Sequence, residues 1–191
     1  MNKTIYLIRH GQTPGNAMKR YIGTTDESLT EAGVLELKGH AYPKVEMVFS
    51  SPLKRAMETA KIIYPEQEIT IVYKLRETDF GEFEGKNYQE LSGNAKYQAW
   101  IDSGGLAPFP GGEDPFDVQK RTMEGLEEII EMSKDCKEIA IVTHGGIIMA
   151  LLQKLFGGDY YNYNVANGKG YSFEISSDGL YSGLCNRLYT G

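Results

Sequence analysis

The chain has 191 residues, 41% of them hydrophobic and 24% charged, which is a composition typical of one globular domain with a full core. Its formal net charge of −6 argues against a general nucleic-acid surface, so any bound anion must meet a local cluster of positive groups. Cys136 and Cys185 lie far apart without metal-binding spacing, so we expect neither a disulfide framework nor a zinc site. No signal peptide or apolar run of membrane-spanning length is evident, which predicts a cytoplasmic protein without membrane association.

Four short apolar runs predict β-strands covered on both faces. In chain order they are TIYLIRH from Thr4, VEMVFSS from Val45, ITIVY from Ile69 and KEIAIVTHGG from Lys137. The tail YSFEISSDGLYSGLCNRLY predicts two antiparallel strands around a turn at Asp178 and Gly179.

Helical patterns lie between these strands. Thr30 is expected to cap a helix from Glu31 toward His40. Pro52 is expected in the first turn of a second helix, SPLKRAMETAKIIY. Asp114-Pro115 predicts the start of a third helix, which runs to about Ser133 and has Asp117 as a capping-box acid. Gly145-Gly146 predicts the start of a fourth helix, which ends at a glycine pair. Strands that alternate with helices predict a three-layer α/β/α fold with a mostly parallel mixed sheet. We expect one domain over residues 1–191, with a small lid-like insertion around 81–113.

Functional groups in such folds gather at the carboxyl ends of parallel strands. The first strand ends at Arg9 and His10, and the strand before the fourth predicted helix ends at His144. The second strand is followed closely by Arg55, in the first turn of a helix. The topology therefore predicts that two histidines and two arginines meet at one edge of the sheet.

These residues outline a site for an anion. Adjacent cationic groups such as Arg9 and His10 disfavour one another unless an anion lies between them. Arginine forks and the free N–H groups of helix starts, here near Arg55 and at Gly145, both favour phosphate or carboxylate. His40, by contrast, lies near the end of a predicted helix, and we assign it no function.

A phosphoryl group in this site would meet groups able to transfer it. Neighbouring arginines should lower the pKa of His10, so that it is a neutral nucleophile near pH 7. His144 can donate hydrogen bonds to the phosphoryl oxygens as charge develops. The leaving oxygen needs a proton from a carboxyl group, and the segment LRETDFGEFEG offers four candidates, between which spacing alone does not choose: Glu77, Asp79, Glu82 and Glu84.

Four segments in order, LIRHGQTPGN, SSPLKRAMETA, LRETDFGEFEG and VTHGG, resemble the signature segments of the histidine phosphatase superfamily, the phosphoglycerate-mutase-like group. The resemblance implies that His10 becomes phosphorylated and that Glu77 is the proton donor. It also implies a phosphate pocket formed by Arg9, Gln12, Asn16, the Ile22-Gly23 backbone, Arg55, His144 and Gly145. Gln12 stands where many members carry glutamate. No cofactor and no metal are implied.

The resemblance leaves three functions open: a phosphomonoesterase, a cofactor-dependent phosphoglycerate mutase, or a non-catalytic phosphate-binding relative. Mutases carry an inserted lid with paired arginines for a second anion, and no Arg-Arg pair follows Glu77 here. Phe80 also stands where such mutases have a tyrosine. Hydrolysis of a small-molecule phosphate ester is therefore favoured, and the presence of His10 and Glu77 disfavours a non-catalytic role.

The stretch YQAWIDSGGLAPFPGGEDPFDVQKR resembles the Y-x-x-W … P-x-G-G-E … R stretch of α-ribazole phosphatases, parts of which broad-specificity phosphatases of the family share. Asp114 replaces the serine usual after Gly-Gly-Glu. Tyr97, Trp100 and Phe109 either line a wall for a flat or sugar-bearing leaving group or pack the lid onto the core. The partner expected is the substrate alone, bound by a monomer or a homodimer.

Overall fold

A computed structural model describes residues 2–185. Its strands are β1 (Lys3–Arg9), β2 (Met47–Ser50), β3 (Ile69–Ile71), β4 (Glu138–Thr143), β5 (Gly170–Ile175) and β6 (Tyr181–Cys185). Its α-helices are α1 (Pro14–Ala17), α2 (Glu31–Lys38), α3 (Lys54–Ile63), α4 (Ala95–Asp102), α5 (Pro115–Met132) and α6 (Gly145–Phe156). Short 3₁₀ turns span Tyr73–Leu75, Gly81–Phe83 and Tyr160–Tyr163. The end of the predicted tail strand, residues 186–189, lies outside the described residues.

The six strands form one mixed sheet in the order β3-β2-β4-β1-β5-β6. The first four strands in that order pair in parallel, and β5 and β6 join antiparallel. This confirms the predicted α/β class, the mostly parallel mixed sheet and the C-terminal hairpin. None of the helices within residues 2–185 is long and apolar enough to cross a membrane.

The central strands of the sheet are buried on both faces, as alternate residues of β4 illustrate. Ile139 and Ile141 pack in one core cluster with residues of α5 and α6. Ala140 and Val142 pack in a second cluster with residues of α3. Successive side chains of a strand point to opposite faces, so the apolar run of β4 fills two cores and forms the middle layer of three.

Two predicted helix starts are wrong in detail. Pro52 precedes α3 instead of lying in its first turn, because Leu53 is extended and Asp26, from a distant loop, accepts the N–H of Lys54 at 2.7 Å. Asp114 does cap α5, accepting from the N–H of Phe116, but Asp117 forms no capping box there. Thr30 caps α2 as predicted.

Candidate active site

The parallel pairing of β1 with β4 places His10 beside His144. Arg9 is in register with Thr143, and the N–H of His10 donates to the carbonyl of Thr143 at 2.9 Å. The residues that follow this pair are the two histidines, whose ring centroids lie 5.1 Å apart in an edge-to-face arrangement. The strand ends therefore meet where the topology predicted.

The backbone fixes the tautomer of His10. Its Nδ1 lies 2.7 Å from the carbonyl oxygen of Gly11. A carbonyl can only accept, so Nδ1 carries the proton and Nε2 keeps a lone pair. Burial, together with the charges of Arg55 and Arg9, holds the pKa of His10 well below its usual 6.5. His10 is thus a neutral imidazole with a nucleophilic nitrogen.

His144 is fully buried and oriented by Ser51. Its Nε2 lies 2.6 Å from the hydroxyl oxygen of Ser51, the residue that follows β2. When that hydroxyl donates to Nε2, the proton of His144 resides on Nδ1, which has no partner within residues 2–185. Burial first, and then the charge of Arg55, holds the pKa of His144 well below 6.5. The sequence placed Ser51 at this strand end but assigned it no role.

Arg9 lies against the start of α6. Its Nη1 donates to the carbonyl of Val165 at 2.6 Å, whereas its buried Nε has no acceptor among the described residues. A Cβ at Gly145 would stand 3.3 Å from Nε of Arg9, so a glycine here lets the guanidinium lie flat on the helix start. Burial lowers the pKa of Arg9, and the nearby charge of Glu77 opposes that effect. Glu77 is therefore one counter-charge for the arginine.

Arg55 holds the loop at residues 22–25. Its guanidinium donates to the carbonyls of Thr25 at 2.8 Å, Gly23 at 2.9 Å and Ile22 at 3.2 Å. The side chain is completely buried, and its Nε has no partner in the described part of the chain. Burial lowers the pKa of Arg55, and the charge of Glu77 is the largest of four acidic contributions that oppose this shift.

Glu77 is buried next to the start of α6. Its Oε1 accepts from the N–H of Thr78 at 2.8 Å, and its Oε2 accepts from the N–H of Gly146 at 3.2 Å. A Cβ at Gly146 would stand only 2.6 Å from Oε1, so the Gly-Gly pair makes room for Arg9 at one position and for Glu77 at the next. Tyr160, which the sequence did not single out, donates to the carbonyl of Gly146 at 3.3 Å.

An arginine from α5 fixes the backbone that carries Glu77. Arg121 forms two bonds to the carboxylate of Glu113, at 2.8 and 2.9 Å, and Glu113 also accepts from the N–H of Asp79. The other N–H groups of Arg121 donate to the carbonyls of Lys74, Arg76 and Glu77. Burial would raise the pKa of Glu113, but the bonds from Arg121 and Asp79 outweigh it and lower that pKa. The G-G-E … R part of the α-ribazole-like stretch thus serves as a clamp for the segment of Glu77.

A cavity of about 930 Å³ opens onto this cluster. Of the predicted site residues, it is lined by Arg9, His10, Asn16, Ile22, Glu77 and Gly145. His144 and Arg55 are not part of this lining. Arg55 is nevertheless close enough to lower the pKa of His10. Each of these two side chains has one buried nitrogen without a partner within the described residues, Nδ1 of His144 and Nε of Arg55. The Nε of Arg9 is a third such nitrogen. Unpaired buried N–H groups are what an oxyanion would satisfy.

Gln12 and Gly23, two of the predicted phosphate contacts, form hydrogen bonds with other parts of the protein. Oε1 of Gln12 lies 3.2 Å from the hydroxyl of Thr30, at the cap of α2, and Gln12 does not line the cavity. The N–H of Gly23 donates to the carboxylate of Glu84 at 2.9 Å. Phosphate contacts by these two residues stay predictions.

Asn16 lies on the cavity wall with its amide oriented by two neighbours. Its Oδ1 accepts from the Nδ2 of Asn167 at 3.0 Å and from the N–H of Thr13 at 3.2 Å. The amide nitrogen of Asn16 is therefore the group left to donate to a bound anion.

Of the three aromatic residues considered between 97 and 109, Trp100 and Phe109 both pack in a core cluster and line the cavity, whereas Tyr97 only packs. Trp100 and Phe109 are buried with Phe83 and Leu91 in a small separate core, and both also face the cavity. Tyr97 packs against this core, and its hydroxyl oxygen lies 3.2 Å from that of Tyr21, but Tyr97 is not part of the cavity wall.

No group of three or more His, Cys, Asp or Glu side chains within residues 2–185 is arranged to hold a metal ion. Metal independence of the reaction stays a prediction.

Comparison with known proteins identifies the relatives of this chain. A family model described as the histidine phosphatase superfamily (branch 1) matches residues 5–186. The glucosyl-3-phosphoglycerate phosphatase of Mycolicibacterium vanbaalenii is 31% identical over 88% of this chain and 80% of its own length. The 2,3-bisphosphoglycerate-dependent phosphoglycerate mutase of Beijerinckia indica is 30% identical over 82% of this chain and 83% of its own. The crystal structure of the alpha-ribazole phosphatase from Shigella flexneri, at 24% identity, superimposes with a TM-score of 0.85 over 98% of both chains and shows the same fold.

Proposed function

Because this chain belongs to the histidine phosphatase superfamily, we propose that it is a phosphomonoesterase that hydrolyses a small-molecule phosphate through a phosphohistidine at His10. The observation that carries the proposal is the bond from Nδ1 of His10 to the carbonyl of Gly11, which leaves a lone pair on Nε2 of a neutral imidazole that lines the cavity. Glu77 lines the same cavity and can serve the leaving oxygen.

In the first step, Nε2 of His10 attacks phosphorus and the P–O ester bond breaks. The electron pair of that bond goes to the alcohol oxygen, which takes a proton from Glu77 in its carboxylic acid form and leaves it as the carboxylate. Arg9, Arg55 and His144 stabilise the charge on the phosphoryl oxygens during transfer. In the second step, water attacks phosphorus and the P–N bond to His10 breaks, with its electron pair returning to Nε2. Glu77, now a carboxylate, accepts a proton from the water, and orthophosphate is released.

A mutase must in addition hold a second phosphate group and return the phosphoryl group to it. The cations that line the cavity within residues 2–185 are Arg9 and Arg20, and Arg20 is ion-paired with Glu90 at 2.8 Å. This arrangement favours hydrolysis over phosphoglycerate mutation.

Alpha-ribazole phosphate is the candidate substrate that the sequence suggests. Glu113 and Arg121 belong to the stretch that resembles α-ribazole phosphatases, but they bond to each other and fix the backbone around Glu77. They therefore give no information on the leaving group. The remaining support is the presence of Trp100 and Phe109 on the cavity wall, where a flat leaving group could pack.

The test is covalent labelling. Enzyme mixed with a ³²P-labelled phosphomonoester and quenched without acid is expected to carry an acid-labile phosphoryl group, and His10→Ala is expected to lose both label and turnover. His40→Ala, which removes a histidine outside the cavity lining, is the matched control and should retain both. Label that persists in His10→Ala would contradict the assignment. Assay with 3-phosphoglycerate and 2,3-bisphosphoglycerate separates hydrolysis from mutation.

A further inference from the structure

The cavity is far larger than a phosphate group, and most of its wall beyond His10 and Glu77 is apolar. Its volume is about 930 Å³. The apolar and aromatic residues that line it include Tyr21, Phe80, Trp100, Ile101, Leu106 and Phe109. Leu106 and Ile101 are 71% and 45% exposed, so this apolar surface extends to the mouth. Such a wall binds an apolar or ring-bearing group in preference to a solvated one.

Within residues 2–185, this wall holds no cation without a counter-charge for a second anion. Arg9 serves the phosphate end, beside His10 and Glu77. Arg20 is ion-paired instead: its Nη2 lies 2.8 Å from the carboxylate of Glu90 and its Nη1 donates to the carbonyl of Gly85, which leaves only its buried Nε without a partner among residues 2–185. Asp159 adds a negative charge to the lining. A carboxylate on the leaving group would lose solvation there without gaining a free cation.

We propose that this surface is a leaving-group subsite for an uncharged, ring-bearing alcohol, so that the phosphate is the only anionic group of the preferred substrate. The proposal rests on the phosphomonoesterase function proposed above and narrows its substrate class. It separates this chain from enzymes that act on phosphoserine or phosphoglycerate, because the alcohols of those esters carry a carboxylate.

Matched synthetic esters test the charge preference. The value of kcat/KM for benzyl phosphate is expected to exceed that for 4-carboxybenzyl phosphate by about tenfold or more, the cost of one unpaired charge. Benzyl phosphate is also expected to be hydrolysed better than ethyl phosphate through a lower KM. Equal or higher kcat/KM for the carboxylated ester would overturn the subsite and leave the phosphatase function standing. If no ester releases phosphate, the phosphatase function itself is wrong.

An added cation should relax the preference. Gln153 lies on α6 in the cavity wall, where its Nε2 makes a long 3.5 Å contact with the carbonyl of Gly158. Gln153→Lys is expected to raise kcat/KM for 4-carboxybenzyl phosphate relative to benzyl phosphate by about fivefold or more. Gln98→Lys adds the same charge at an exposed position of α4 outside the lining and should leave the ratio unchanged. An unchanged ratio in Gln153→Lys would contradict the proposal.

A truncation at the mouth tests the apolar contact without disturbing the fold. Leu106→Ser is expected to raise the KM for benzyl phosphate about fivefold and to leave ethyl phosphate unaffected. Leu35, 70% exposed on α2 and outside the lining, provides the matched control Leu35→Ser, which should change neither value. An equal rise for both esters in Leu106→Ser, or no rise for either, would count against an apolar subsite at the mouth.

Discussion

Replacement of Gly146 by alanine is expected to displace the proposed acid without unfolding the protein. The new Cβ would stand 2.6 Å from Oε1 of Glu77, so the carboxylate must move by about 0.8 Å to reach ordinary contact at 3.4 Å. A misplacement of about 1 Å can cost about 10²-fold in rate, which corresponds to about 2.7 kcal/mol of activation free energy. Alanine is a better helix former than glycine by about 1 kcal/mol, so α6 should be retained.

The assay compares an alkyl with an aryl phosphate. An alkoxide leaving group needs a proton from Glu77, whereas p-nitrophenolate leaves without one. Gly146→Ala is therefore expected to lower kcat/KM about 10²-fold for benzyl phosphate and only a few-fold for p-nitrophenyl phosphate. Gly39→Ala is the control: its Cβ would stand 3.4 Å from the nearest atom, the carbonyl oxygen of Glu36 at the end of α2, and it should change neither value.

The double variant Gly146→Ala/Glu77→Gln shows whether the two residues act as one unit. If the alanine acts by displacing Glu77, the double variant should be no slower on benzyl phosphate than Glu77→Gln alone. Fully additive losses, or equal losses on the two esters in Gly146→Ala, would refute the reasoning.

Three further outcomes are expected. Because burial, Arg55 and Arg9 hold the pKa of His10 well below 6.5, His10 stays neutral as the pH falls through 6.5, so kcat/KM should show no loss from His10 protonation there; an NMR signal that disappears in His10→Ala and titrates at or above 6.5 would contradict this. Arg55→Lys should lower the free energy of unfolding by about 1–3 kcal/mol in urea, because lysine cannot bond three carbonyls as the guanidinium does; an unchanged midpoint would oppose it. Activity should survive exhaustive EDTA treatment, and a loss that magnesium restores would show that a metal is needed.

The fold and the central site residues were predictable because they depend on local pattern and on topology. Apolar runs predict β1 and β4, and the rule that parallel strands end at one edge of a sheet places His10 beside His144 from the sequence alone. Glu77 was different. Its spacing to the strands left Asp79, Glu82 and Glu84 equally possible as the proton donor, and only the family resemblance selected Glu77.

The contacts that orient these residues could not be predicted from the pattern. Ser51 meets His144 across 93 positions of sequence, and Arg121 reaches carbonyls 44–47 positions earlier in the chain. The N–H of Gly23 is bonded to Glu84, 61 positions later. Such pairings follow from how the loops pack, and a single sequence offers no signal for them beyond the position of Ser51 at a strand end and the G-G-E … R stretch that contains Arg121.

The Nε of Arg9, a residue of the cavity lining, has no partner among the described residues and ties the folding equilibrium to the concentration of free oxyanions. Such a buried donor without a partner costs the folded state about 1–3 kcal/mol, and an anion that satisfies it binds the folded chain and not the unfolded one. By mass action, an anion at 100 times its dissociation constant would stabilise the fold by about 2.7 kcal/mol. Orthophosphate is the product of the proposed reaction, so the phosphate level around this protein would set both its resistance to unfolding and the fraction of its sites blocked by product.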